Sequence, residues 1–87
     1  MGYDQIIEEL KRRPANIKCG ELKAMLVELG FVVRDCGRGN HKAFSHPRLP
    51  GFHGGNFDCG HKKQVKPVYV HSIRRTLELF EADLRAL

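Results

Sequence analysis

This 87-residue sequence predicts an α+β domain: a small three-stranded antiparallel sheet covered by helices on one face. Three observations carry that expectation. Val70, Ile73, Leu77, Phe80, Leu84 and Leu87 recur at three- and four-residue intervals, the stripe of a long helix. Leu22, Met25, Leu26 and Leu29 repeat that spacing earlier in the chain. Between the two stripes lies β-branched and aromatic sequence broken by Gly37-Arg38-Gly39-Asn40, residues that tolerate the positive φ values of a tight hairpin.

Taken in order, residues 3–13 predict a short amphipathic helix with Asp4 as its cap, Ile6, Ile7 and Leu10 as its apolar side and Pro14 as its stop. A second helix is expected over 19–29, with Gly30 as a left-handed C-cap. Strands follow at 31–36 and 41–46. The sequence PRLPGFHGG at 47–55 reads as an irregular loop, and the alternation of Phe57 and Cys59 with polar neighbours gives a third strand at 56–60. Pro67, suited to a first helical turn, opens one continuous helix over 67–85. Without its first helix the order is α-β-β-β-α, that of a double-stranded-RNA-binding-like domain.

The bulk numbers narrow the function classes. At 87 residues the chain is expected to be one domain, 1–87, and its 41% hydrophobic and 29% charged content is ordinary for a globular protein. A net charge of +5 suits an anionic partner, and nucleic acid is the commonest. No apolar run is long enough to span a membrane, and no leader opens the chain, so a cytoplasmic location is expected. The three widely spaced cysteines, Cys19, Cys36 and Cys59, are expected to be reduced thiols.

Chemistry is concentrated in residues 37–47. Two-residue alternation along 41–46 sets Phe44, Lys42 and His46 on one face and His41, Ala43 and Ser45 on the other. If Phe44 faces the helices, His41 stands on the uncovered face beside the basic turn. Lys42 then has core-side parity, which only a position at the sheet margin allows. His46, on Phe44's side and followed by proline, is expected to end the strand structurally. His53, His61 and His71 receive no role.

The stretch ELKAMLVELGF from Glu21, then Gly39-Asn40-His41, then Phe44-Ser45-His46-Pro47, resembles HicA-type toxins, small mRNA interferases of bacterial toxin–antitoxin pairs. Asn56–His61 and Lys66–Val70 extend the likeness, which covers most of residues 16–80. Asn40 stands where that family usually has serine, and Lys42 where a second histidine is common. The resemblance implies a metal-independent endoribonuclease without cofactor, with His41 as catalytic histidine, mRNA as substrate and a HicB-like antitoxin as partner.

A histidine suits this reaction because its ordinary pKa of about 6.5 lets it take and return a proton near neutrality. On that reading His41 activates a ribose 2′-hydroxyl toward the adjacent phosphate. Arg38 and Lys42, with the backbone N–H groups of Gly39 and Asn40, hold the phosphate. Arg34, Arg48, Lys62 and Lys63 extend a phosphate track. Two other readings stand beside it. One is a noncatalytic RNA-binding module on the same basic face. The other is a zinc-stabilised interaction domain drawing on Cys59, His61, His53 and His46, whose spacing is not that of a known finger or ribbon.

Overall fold

The computed structural model describes residues 1–37, 39–60 and 62–87. Four helices, α1 (Tyr3–Arg12), α2 (Cys19–Glu28), α3 (Pro67–Leu79) and α4 (Glu81–Arg85), surround three strands, β1 (Val32–Asp35), β2 (His41–Ser45) and β3 (Gly55–Asp58). The strands form an antiparallel sheet in the order β1-β2-β3, with β2 central.

The three longer helices and strands β2 and β3 bury their apolar residues in one core, which Leu84 of α4 joins. Ile6, Ile7 and Leu10 of α1, Leu22, Met25 and Leu26 of α2, and Val70, Ile73 and Leu77 of α3 are buried with Phe44 and Phe57 of the sheet. Removing such side chains from water, at roughly 25 cal/mol per Å² of apolar surface, is the main force holding the layers together. The first helix therefore extends the core, and Tyr3 Oη donates to the Leu77 carbonyl of α3 at 3.1 Å. Asp4 is not its cap. Gly2 occupies that position, and Asp4 in the first turn is ion-paired with Arg85 of α4.

The second helix starts on Lys18, whose side chain has no acceptor to offer the first-turn N–H groups. Glu21 supplies half of a capping box instead: its Oε1 accepts the Lys18 N–H at 3.0 Å, and its Oε2 takes Arg13 at 2.6 Å. The Arg13 guanidinium and the Lys18 N–H hold the Glu21 carboxyl below its usual range.

Two further expectations are corrected. The last helix is not continuous: it breaks at Phe80 (φ −102°, ψ 22°), and Phe80 packs edge-on against Phe52, 5.7 Å between centroids. The break lets Leu84 close on the core, brings Arg85 over the Tyr3 ring at 4.7 Å, and leaves Leu87 48% exposed. The expected irregular loop is present, with Gly55 joining β3, but it is far from empty. Leu49 is buried, and Phe52 meets Phe31, Phe44 and Phe80 at 5.6–5.7 Å. Finally, Cys19 and Cys59 are not reduced thiols; they form a disulfide, and Cys36 alone is free and exposed.

That disulfide reinforces a seam between distant segments. The Cys19 N–H donates to the Lys63 carbonyl at 2.7 Å, and the Val65 N–H to the Ile17 carbonyl at 2.9 Å. The connector before α2 is thus paired with the connector before α3. Because the bond spans 40 residues, reducing it is expected to lower unfolding free energy by up to about 4 kcal/mol, measured by urea titration with and without reductant. A second expectation concerns Gly55, which faces Phe44 across the sheet, where an added Cβ would lie 2.5 Å from the ring. Gly55→Ala should cost about 1–3 kcal/mol in the same titration.

Candidate functional site

Phe44 decides which face of the sheet is covered. Its ring is buried against Phe31, Phe52 and Phe57, so its neighbours in parity point inward and the alternate residues point out. His41, the first residue of β2, is exposed on the open face. Its carbonyl accepts the Cys36 N–H at 3.1 Å, so the backbone at this position is held by β1.

Across the other edge of β2, His41 is in register with Asp58 of β3. The Cys59 N–H donates to the Asn40 carbonyl at 2.9 Å, which makes 40/59 the hydrogen-bonded pair and 41/58 the alternate one. In such a pair the Cα atoms approach to about 4.5 Å and the side chains stand closest. The Asp58 carboxylate and the His41 imidazole therefore project from adjacent strands on the open face, with no hydrogen bond or ion pair between them. Asp58 is half-buried, and its Oδ1 accepts the Gly60 N–H at 3.2 Å, which orients the group.

The next outward row, two residues along β2, is Arg34–Ala43–Asn56. Ala43 is small, so Arg34, Asn56, Ser45 and His53 surround a shallow depression of about 360 Å³. This is a polar, partly basic surface adjoining His41, about 7 Å farther along the strands.

The expected phosphate ligands divide. Arg34 shares the open face with His41. Gly39 and Asn40 lie in the adjoining turn, where Gly37 and Gly39 adopt φ of +73° and +63°, values that favour glycine over any residue with a Cβ. Arg38 lies outside the described residues. Lys42 has the opposite parity: it is in register with Phe57, its side chain is 22% exposed, and its ammonium is paired with Asp35 at the sheet margin. The ammonium's hydrogen bond holds the Asp35 carboxyl below its usual range. Lys63 joins Lys42, Lys18 and Asn40 around a cleft on the helix side of the turn, and Lys62 is exposed beside it. Arg48 is remote, at the opposite end of β2, where it lines a hollow with Glu28, His46 and Leu87.

His46 is a structural residue. Its Nδ1 accepts the Arg48 N–H at 3.0 Å, which leaves Nε2 to carry the hydrogen donated to the Leu29 carbonyl at 2.9 Å. The ring thereby satisfies the end of α2, and an added Cβ on Gly30 would come within 2.7 Å of Nε2. Of the residues considered for zinc, Cys59 is bonded to Cys19, His46 has both ring nitrogens in use, and His61 lies outside the described residues. Among the described residues no group of three metal-ligating side chains assembles.

The sequence assigns no role to Asp58, Asn56 or Ser45. The outward parity of Asp58 and Asn56 is readable from Phe57 between them, but their pairing with His41 and Ala43 depends on strand register. The two histidines of β2 and its end should separate in a stability assay. His46→Ala is expected to cost about 2–3 kcal/mol by leaving the Leu29 carbonyl and Arg48 N–H without partners. His41→Ala should change stability by less than about 0.5 kcal/mol.

Comparison with protein-family profiles, with curated proteins and with solved structures finds no match. What the site can do rests on its own geometry.

Proposed function

We propose that this chain is a metal-independent endoribonuclease of the HicA-toxin type, with the α2-β1-β2-β3-α3 core as a double-stranded-RNA-binding-like scaffold. The observation that carries the reading is the exposed imidazole of His41 on the uncovered sheet face, in register with the Asp58 carboxylate. A histidine–carboxylate pair beside a cationic, hydrogen-bonding surface has the parts that RNA transesterification needs.

In this mechanism His41 takes the proton of a ribose 2′-hydroxyl, and the 2′-oxygen attacks the adjacent phosphorus. The P–O5′ bond breaks, His41 returns its proton to the departing 5′-oxygen, and a 2′,3′-cyclic phosphate remains on the upstream fragment. Asp58 is a positioning residue that fixes the orientation of the ring and balances the charge it acquires. Arg34, with the N–H groups of Gly39 and Asn40, stabilises the phosphorane charge, and Asn56 and Ser45 contact the neighbouring nucleotide. A HicB-like antitoxin would silence the enzyme by covering this open face.

One observation favours the noncatalytic RNA-binding module instead. Lys42 is turned to the helix side and paired with Asp35, so fewer cations meet His41 than the sequence suggests. Cleavage of defined RNA in chelator separates the readings. His41→Ala should lower the cleavage rate at least about 100-fold with RNA affinity retained. Asp58→Asn should lower kcat about tenfold with KM little changed, as expected of a residue that positions the base. Equal cleavage by wild type and His41→Ala would remove the catalytic role, and tight binding without any cleavage would establish the module.

A further inference from the structure

The cleft on the helix side of the turn has a feature that the RNA reading does not use. It measures about 450 Å³, within the range of small-molecule sites, and both halves of the Cys19–Cys59 disulfide line it together with Lys18, Lys42 and Lys63. Its one carboxylate, Glu21, is already engaged by Arg13 and by the Lys18 N–H. Among the described residues, Lys42 is the only one of the three lysines in an ion pair. The cleft is therefore a positively charged pocket with a disulfide in its wall.

We propose that this cleft is a thiolation site, which admits an anionic low-molecular-weight thiol and exchanges it onto Cys19. The two residues differ in access: Cys59 is 3% exposed and part of the core, whereas Cys19 is half-buried at the start of α2. An incoming thiolate reaches Cys19 Sγ. The Cys19–Cys59 bond breaks as a bond from the thiol to Cys19 forms, and Cys59 leaves as a thiolate that takes a proton from solvent. No net oxidation occurs in this step. A second thiol can release the first as a symmetrical disulfide, which leaves Cys19 reduced and the two thiols oxidised.

The lysines act twice. They raise the local concentration of an anionic thiol, an effect that charge-lined clefts exert on encounter rates by about tenfold or more, and they stabilise the departing Cys59 thiolate. The inference stands apart from RNA cleavage, because it needs neither His41 nor the open face.

The test uses full-length folded protein carrying Cys36→Ser, which removes the exposed competing thiol. Reduced glutathione, which is anionic, is compared at equal thiolate concentration with cysteamine, whose ammonium makes its thiolate form net neutral. Each rate is divided by that thiol's rate with a small neutral disulfide. Peptide mass analysis under non-reducing conditions should locate the adduct on Cys19, with Cys59 newly open to alkylation. Glutathione should show a normalised rate about tenfold above that of cysteamine. That preference should disappear in 1 M salt, where screening is complete within a few ångströms, and in the Lys18→Ala/Lys63→Ala variant. Equal normalised rates, an adduct on Cys59, or no exchange in the folded protein would each overturn the proposal. The salt comparison needs no charge substitution, so it holds even if that variant misfolds.

Discussion

The packing of Phe44 is the constraint on which the site depends. Its ring meets Phe31, Phe52 and Phe57 at centroid distances of 5.6–6.1 Å, and Gly55 across the sheet leaves room for it. Because side chains alternate along a strand, fixing Phe44 inward fixes His41, Ala43 and Ser45 outward. A slip of one residue would turn His41 inward and expose Phe44, removing an aromatic ring from the core and facing an ionisable one toward it. The loss of Phe44 burial, worth about 3 kcal/mol, and the desolvation of an unpartnered imidazole both oppose that slip.

The same strand and its end show two uses of histidine. His46 is inside, and both of its nitrogens are matched to backbone groups, so the ring works as a bridge between α2 and the segment after β2. His41 is outside, with only its backbone held, and its imidazole is available to a ligand. Neither exposure nor burial would mean much alone. The contrast matters because the two rings lie five residues apart and the fold has satisfied only one of them.

Much of this arrangement was legible in the sequence. The stripes of α2 and α3 and the inward parity of Phe44 follow from spacing, and so does the marginal position of Lys42. Local pattern could not supply what depends on distant partners. The break at Phe80 coincides with its contact with Phe52, which lies in a stretch that reads only as Pro- and Gly-rich loop. The Cys19–Cys59 bond joins segments 40 residues apart, and no local spacing announces it. Asp58 has readable parity, but its place beside His41 requires the β2–β3 register, which is set by packing across the whole sheet.

Charge is unevenly divided between the two halves of the fold. Residues 31–66 carry seven lysines and arginines against two acidic residues, Asp35 and Asp58, while the remainder carries eight of each. The whole net charge of +5 therefore lies in the sheet and its connections. In the helices, arginines and acids are spent on one another, as in Arg13 with Glu9 and Glu21, Arg74 with Glu78, and Arg85 with Asp4 and Glu81. Such exposed pairs add little stability, about 0–1 kcal/mol each, but they leave the helical half electrically neutral. An approaching polyanion is consequently drawn to the sheet half, where the open face carries His41. Of the two acids there, Asp35 is paired with Lys42, and Asp58 is left as the one carboxylate in register with that histidine. A lone carboxylate in an otherwise basic half weakens the attraction of a polyanion, so its position opposite His41 makes best physical sense as a partner to the ring rather than as part of the binding field.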